Sequence, residues 1–210
     1  MKKIILLTLF YSSIATAQKE GIVYPKGKWY FGAEIGTNKI TSFEVGGDKT
    51  SFQGGVLAEY YFGKQWSVEG KIKYFKTGVS FRQSSSWLTD SYSGDFKGDQ
   101  IAFPIAIKWE FRLYKNLKGN LKTGLVLNVE TYSSYKNYFP EPEKDFKKFN
   151  LGFMLGYGLN YFISEKNAIF IDYEGYIGGS KGDVETLFGN SSKPTLNTLF
   201  NLGYKHQFKF

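Results

Sequence analysis

The sequence predicts an all-β fold, an eight-stranded antiparallel up-and-down transmembrane β-barrel with short turns at one end and long loops at the other. Three observations predict it. Segments of about ten residues alternate apolar and polar side chains, aromatic residues make up 19% of the chain, and the connections alternate in length. Alternation with a period of two is typical of a strand with one apolar and one polar face.

The first three strands are predicted around "WYFGAEI" from Trp29, "FQGGVLAEYYF" from Phe52 and "WSVEGKIKY" from Trp66. In each segment every second residue is apolar or aromatic, except for Gly54 and Gly70. The apolar faces are Trp29, Phe31, Ala33 and Ile35; Phe52, Val56, Ala58, Tyr60 and Phe62; and Trp66, Val68, Ile72 and Tyr74.

The fourth strand, "QIAFPIAIKWEFRL" from Gln100, shows the clearest alternation. A helix would scatter its charges around the apolar stripe, so the period favours a strand. Pro104 lies inside this segment, and a closed barrel has no free edge to accommodate a proline. We therefore expect a bulge or a shift of register at Pro104.

The last four strands are predicted at about residues 121–130, 149–161, 169–177 and 200–210. The eighth, "NLGYKHQFKF" preceded by Phe200, alternates apolar or aromatic residues with polar ones up to Phe210. A tilted barrel strand needs roughly 9–11 residues to cross a bilayer. Each segment supplies about that length except the seventh, which is short.

The connections predict which ends of the strands lie together. Short turns are expected at residues 63–65, 114–120 and 162–168. Long polar loops are expected at 40–51, 81–99, 131–148 and 178–197. Short turns on one side and long loops on the other are typical of an outer-membrane barrel, with both termini on the short-turn, periplasmic side.

The N-terminus predicts export. "MKKIILLTLFYSSIATA" combines two lysines, an apolar run from Ile4 to about Ala15 and an Ala-Thr-Ala cleavage site. We expect residues 1–17 to be a signal peptide that is removed, and residues 18–210 to be one barrel domain. The run is too short for a membrane anchor, which needs about 20 apolar residues. The chain has no cysteine, so the sequence offers no disulfide framework.

The chain resembles the small eight-stranded outer-membrane β-barrels of the OmpX/OmpA kind, within the wider "outer membrane protein beta-barrel domain" or porin-family group. The signal, the eight segments, the loop asymmetry and the terminal "YKHQFKF" carry the resemblance. It implies location in the outer membrane of a Gram-negative cell. It also implies that the barrel-assembly machinery reads the last strand, whose Tyr204, Phe208 and Phe210 match the family pattern.

The polar faces predict what fills the barrel. Eight strands leave an interior that side chains can just fill. The lumen is expected to be a closed plug of salt bridges, because buried charges need partners. A narrow polar path for ions or a small solute is the alternative. The expected lumenal charges are Glu34, Glu59, Glu69, Glu110, Glu130, Asp172 and Glu174 against Lys71, Lys73, Lys108, Arg112, Lys122, Lys205 and Lys209.

The remaining charge predicts lipid partners. The mature chain carries 25 basic residues, once Lys2 and Lys3 are removed, against 19 acidic. Periplasmic lysines can meet anionic phospholipids, and Lys39 and Lys76 can meet lipopolysaccharide phosphates at the outer rim. Snorkelling to water is the alternative. No basic stripe suits nucleic acid. The expected periplasmic lysines are Lys19, Lys26, Lys28, Lys64, Lys115, Lys118 and Lys166.

No catalytic, cofactor-binding or metal-binding residue is predicted. The single histidine, His206, is expected to be a half-buried interfacial aromatic. Barrel enzymes that deacylate lipid A carry a serine two positions after a lipid-facing histidine, whereas Phe208 stands there. Glu141, Glu143 and Asp145 alternate, as cation ligands can, but a solvated loop is the preferred interpretation. The sequence therefore predicts no enzyme.

The functional prediction is a monomeric barrel with a structural or surface-interaction role, working through its exposed loops. Aromatic side chains on loops suit recognition, although they can also pack the loops against each other. A narrow porin-like transport pore is the alternative. A soluble barrel turned inside out around an apolar ligand is the further alternative. The loop aromatics are Trp87, Tyr92, Phe96, Tyr132, Tyr135, Tyr138 and Phe139.

Overall fold

The computed structural model describes residues 25–42, 49–84, 91–136, 149–177 and 195–208. Eight antiparallel strands form one closed barrel in which each strand pairs with its neighbours in sequence and β1 pairs with β8. The predicted fold class is confirmed. The strands are β1 (Trp29–Ser42), β2 (Lys49–Tyr60), β3 (Trp66–Ser84), β4 (Ser91–Tyr114), β5 (Leu117–Lys136), β6 (Phe149–Phe162), β7 (Asn167–Ile177) and β8 (Thr195–Phe208).

The register sets the tilt of the strands. Following paired residues once round the barrel from Trp29 leads back to β1 at Lys39, ten residues further along the strand. Eight strands with this stagger tilt by about 41° from the barrel axis, given the usual rise per residue and strand spacing. The interior is then narrow enough for side chains to fill it.

The two faces of the sheet differ as the alternation predicts. Exposed apolar side chains cover the outside, from Trp66 near the short-turn end to Phe52 near the long-loop end, and charged and amide side chains are buried inside. In β7 the buried and exposed positions alternate along the strand. This arrangement contradicts the soluble, inside-out barrel, which requires the charged residues to lie outside.

Aromatic rings line the outer surface at the short-turn end. Trp29 packs against Tyr60 with ring centroids 4.9 Å apart, and Trp109 lies 5.2 Å from Phe111 and 6.5 Å from Trp66. Amphipathic rings favour the headgroup zone of a bilayer. Among the described residues, no helix is long and apolar enough to span a membrane.

Pro104 produces neither the expected bulge nor a shift of register. The β3–β4 pairing has the same register on both sides of it, from Gly70 with Ile105 to Lys73 with Ala102. Two pairs between these are missing, Lys71 with Pro104 and Ile72 with Phe103. Both need the amide proton that proline lacks. The barrel therefore accepts Pro104 by omitting one ladder hydrogen bond, and the register shifts lie elsewhere, in the β4–β5 pairing.

All four expected loops are shorter than predicted because the strands extend into them, and the loop expected at 81–99 is shortened most. β3 and β4 stay paired as far as Ser84 and Ser91, whereas β2 leaves β3 at the Gln53–Phe75 pair. β5 continues to Lys136. The turn expected at 114–120 is only two residues long, with Lys115 at a positive φ of 20°. β3, β4 and β5 therefore project beyond the other strands at the long-loop end.

Candidate functional site

The lumen is the part of the molecule in which charged side chains meet. Six acidic and six lysine side chains are buried there, and they pair across strands that are far apart in sequence. The buried acids are Glu34, Glu59, Glu69, Glu110, Asp172 and Glu174, and the buried lysines are Lys71, Lys73, Lys108, Lys118, Lys122 and Lys205.

The carboxylate of Glu174 on β7 forms ion pairs with three lysines. Its Oε1 lies 2.7 Å from Lys71 Nζ and 2.9 Å from Lys122 Nζ, and its Oε2 lies 2.7 Å from Lys73 Nζ. The Tyr176 hydroxyl donates to the same Oε2 at 2.8 Å. One carboxylate thereby holds β3, β5 and β7 together through the middle of the barrel.

The pairs continue from strand to strand. Lys71 also contacts Glu34 of β1 at 2.8 Å. Lys122 contacts Asp172 at 2.6 Å and Glu69 at 2.9 Å. Lys71 and Lys122 thus each meet more than one carboxylate, so the charges form a network and not isolated pairs.

A second group lies nearer the short-turn end. Glu59 accepts hydrogen bonds from Lys205 at 2.7 Å and from the Ser67 hydroxyl at 2.6 Å, and it also pairs with Lys108. Glu110 accepts from the Tyr61 hydroxyl at 2.6 Å. The network therefore extends almost to the turns.

Aromatic rings lie across the lumen at the short-turn end. The ring of Tyr30 meets those of Tyr61 and Phe162 edge-on, with centroids 5.5 and 6.1 Å apart. Lys118 Nζ lies 4.7 Å from the centre of Phe162, and Lys205 Nζ lies 5.4 Å from the centre of Tyr61. Buried cations over ring faces are attracted to the ring quadrupole.

The structure alters the predicted set of lumenal charges at Arg112, Glu130 and Lys118, and it leaves the prediction for Lys209 untested. Arg112 is exposed, Glu130 is only half-buried, and Lys209 lies outside the described residues. Lys118, expected at the periplasmic rim, is instead buried and contacts Glu110 at 3.3 Å. The two-residue turn at Lys115 and Asn116 moves the start of β5 towards the turn, which brings Lys118 into the barrel.

Three of the buried acids, Glu34, Asp172 and Glu174, come close enough to share a metal ion. Lysines already fill that role, because Lys71 contacts all three carboxylates. An ammonium group at this position satisfies the oxygens that a cation would take. The cluster is therefore part of the salt-bridge network.

A different layer of side chains lies above the network, towards the long-loop end. Apolar residues and amides line it, including Phe75, Leu199 and Met154 with Asn38 and Gln53. Asn38 Nδ2 donates to Asn197 Oδ1 at 3.1 Å. Several amide oxygens in the layer have no hydrogen-bond partner. The sequence does not predict this layer. Its amide side chains come from five different strands, and only the pairing of those strands brings them together.

Comparison with known proteins decides the class of this barrel. The chain matches the family described as "Outer membrane protein beta-barrel domain" over residues 4–208. The chain belongs to this family. Among proteins with curated descriptions, none matches it.

Solved outer-membrane barrels share the fold. Neisserial surface protein A is 16% identical, with a TM-score of 0.55 over 86% of this chain and 97% of the other. The outer membrane protein OprG of Pseudomonas aeruginosa is 12% identical, with a TM-score of 0.54 over 90% of this chain and 99% of the other. The protein is therefore an outer-membrane β-barrel of Gram-negative type, surrounded by lipid.

The orientation of the barrel in the outer membrane determines which exposed lysines lie at its periplasmic end and which at its outer end. Lys26, Lys64 and Lys166 are exposed at the periplasmic end, and Lys39 and Lys76 are exposed at the outer end. Lys28 is partly exposed and pairs with Glu165 at 3.8 Å. Lys19 lies outside the described residues.

His206 lies on the lipid-facing side of β8, half-buried, as the sequence predicts. Its Nδ1 is 2.7 Å from Asn167 Oδ1, and its ring meets Phe208 edge-on at 5.4 Å. Of the predicted loop aromatics, Tyr132 is 57% exposed. The structure describes only the backbone of Tyr92, Phe96 and Tyr135. Trp87, Tyr138 and Phe139 lie outside the described residues, as do Glu141, Glu143 and Asp145.

Proposed function

We propose that the protein is a monomeric outer-membrane barrel with a closed lumen, which acts at the cell surface in a structural or interaction role. The buried network of six acids and six lysines carries this proposal. A pathway for solutes needs open polar space, whereas these side chains cross the lumen and bond to one another. The rings of Tyr30, Tyr61 and Phe162 close the periplasmic end in addition.

The projecting part of β3, β4 and β5 supports a role at the surface. These strands continue beyond the last β2–β3 pair, Gln53 with Phe75, and reach Ser84, Ser91 and Lys136. A sheet that extends past the membrane gives the loops at its tip a rigid base, and binding residues commonly sit on such loops. We propose that the loops bind a host surface, a glycan or another envelope protein.

Binding by cells that display the protein would test this role. One variant replaces residues 78–97 by an Asn-Gly turn, which keeps the Thr77–Gly98 pair in the barrel wall. The control variant is shortened between β7 and β8. We expect cells with the intact protein to bind one member of a panel of immobilised glycans and matrix proteins, and the first variant to lose that binding. Equal binding by the intact protein and the first variant would exclude the projecting sheet as the working surface.

The alternative function is a narrow transport pore. The polar lining and the unpartnered amide oxygens of the outer layer favour it, but the ion pairs and rings below that layer oppose it. Conductance across a planar bilayer distinguishes the two functions.

Further parts of the proposal concern assembly and chemistry. Residues 1–17 act as a removable signal, and the barrel-assembly machinery recognises β8, whose Tyr204 and Phe208 face lipid. The protein is proposed not to be an enzyme. His206 supports this, because its ring is hydrogen-bonded to Asn167 and packs against Phe208, and neither residue is a serine or a carboxylate.

A further inference from the structure

One corner of the outer layer gathers oxygen atoms that lack partners. Gln100 of β4 and Asn128 of β5 are 2% and 3% exposed, and their side-chain oxygens, Oε1 and Oδ1, accept no hydrogen bond. Oε1 of the half-buried Glu130 is also unpartnered. A buried acceptor without a donor costs about 1–3 kcal/mol. Three such oxygens at neighbouring positions, none with a donor among the described residues, indicate a place where a further group can bind.

The register brings these three side chains together. Gln100 pairs directly with Glu130, and Ala102 pairs with Asn128. Directly opposed residues on one face have Cβ atoms about 4.5–5.5 Å apart, and diagonal neighbours lie roughly 7–8 Å apart. The small side chain of Ala102 stands between Gln100 and Pro104 on the inward face of β4. All three oxygens can therefore reach one point in the lumen.

The buried lysine in the same row as this corner is already engaged by carboxylates. Lys73, which lies in the same inward row as Ala102 and Asn128, is held by Glu34 and Glu174. Among the described residues no donor reaches the three oxygens, so the corner can take an occupant from outside the chain. Glu130 is only half-buried, which leaves the corner open to the outer mouth of the lumen.

We propose that Gln100, Asn128 and Glu130 bind a hard divalent cation of the calcium type at the outer mouth of the lumen. Calcium takes oxygen ligands from carboxylates and amide carbonyls, accepts irregular geometry and completes its shell with water. Magnesium requires near-ideal octahedral geometry and gives up water reluctantly. One carboxylate and two neutral oxygens predict weak binding, with a Kd on the order of 10⁻⁴–10⁻³ M, the range of extracellular calcium modules.

The site would join β4 to β5 just where both strands leave the barrel wall. The β4–β5 pairing has a register shift between Asp99 and Gln100. A cation held by Gln100 on one strand and by Asn128 and Glu130 on the other would fix this irregular point. The projecting sheet would then be anchored more firmly when calcium is present.

The test is Tb³⁺ luminescence, with displacement by Ca²⁺, on the folded protein in nanodiscs of zwitterionic lipid, since anionic headgroups would bind the ions themselves. Wild-type protein is expected to bind one ion per chain saturably. Glu130→Gln should weaken binding at least tenfold. The matched control, Glu165→Gln, removes an exposed carboxylate at the periplasmic end and should leave the affinity unchanged. No saturable binding, or equal affinity in Glu130→Gln and wild type, would overturn the proposal.

A second variant keeps the test decisive if Glu130→Gln does not fold. Asn128→Asp changes only the amide to a carboxylate, so a cation site should bind Ca²⁺ several-fold more tightly. If instead the amides turn their NH₂ groups towards Glu130, the added charge would repel Glu130 and Ca²⁺ affinity would not rise. An unchanged affinity in this variant would overturn the proposal. Heat-dependent mobility in SDS gels confirms in each case that the barrel is folded.

Discussion

Glu174 shows at the scale of one residue how much of this barrel rests on charge pairing. Its two oxygens contact three lysines and the Tyr176 hydroxyl. Removing one partner of a buried ion pair leaves uncompensated charge, which typically costs about 3–5 kcal/mol. We therefore expect Glu174→Gln to lower the free energy of unfolding by about this amount in denaturant titrations of the protein in lipid vesicles.

Two comparisons separate the charge effect from a general effect of mutation. Glu165→Gln removes an acid whose pair with Lys28 is 3.8 Å long and exposed, and such pairs contribute about 0–1 kcal/mol. Combining Lys122→Met with Glu174→Gln removes one charge of each sign, so the double variant should lose less stability than the two single variants together. Strict additivity would show that the network is not coupled.

Gly156 on β6 is a position where the network leaves no space for a side chain. An added Cβ would lie 2.9 Å from Lys122 Cγ and 3.2 Å from Glu174 Cγ. Gly175 on the neighbouring strand is the matched control, because its Cβ would have Leu196 Cδ1 as its nearest neighbour at 3.6 Å. Gly156→Ala should destabilise the barrel by about 1–3 kcal/mol through overpacking, and Gly175→Ala should have little effect. Equal denaturation midpoints would contradict this.

At the scale of the strand, Pro104 leaves one hydrogen bond out of the β3–β4 ladder. Pro104→Ala restores the amide proton that the β3–β4 ladder lacks between Gly70 and Lys73. The new hydrogen bond should contribute about 0.5–1.5 kcal/mol, and the greater freedom of the unfolded chain should cost about 0.4–1 kcal/mol. Stability should therefore change little. The backbone amide that the substitution introduces should nevertheless be strongly protected from hydrogen exchange, and rapid exchange of it would show that the gap has another cause.

We expect the barrel wall to fold without the projecting hairpin, which is the part of β3 and β4 beyond the Thr77–Gly98 pair. Beyond the Gln53–Phe75 pair, β3 has no described backbone pairing with β2, and the Ser51 hydroxyl of β2 donates a hydrogen bond to the Lys76 carbonyl of β3. Truncating the hairpin at the Thr77–Gly98 pair removes few of the contacts that close the barrel. The truncated protein should keep the heat-dependent gel mobility of a closed barrel. Loss of that mobility would show that the projection helps to hold the wall together.

At the scale of the whole molecule, the sequence alone predicts the architecture but only part of the lumen. Period-two alternation locates all eight strands because each face meets a single environment, lipid or lumen. The same pattern cannot show where a strand stops once it leaves the bilayer, so the ends of β3, β4 and β5 are predicted short. Lys118 is misplaced for a related reason, since a two-residue turn shifts its surroundings. The proximity of Gln100 and Asn128 to Glu130 depends on the β4–β5 register, which alternation does not reveal.

Conductance is the property of the whole molecule that follows most directly from the filled lumen. Wild-type protein in a planar bilayer should give no channel steps, because ion pairs and rings cross the lumen from Glu174 to Tyr30. Glu59→Ala combined with Lys205→Ala removes a pair 2.7 Å apart. This change keeps the net charge but opens space beside Tyr61. Conductance steps should therefore appear with the double variant. Steps of the same size in wild type would instead favour the transport pore, because the network would then line an existing path.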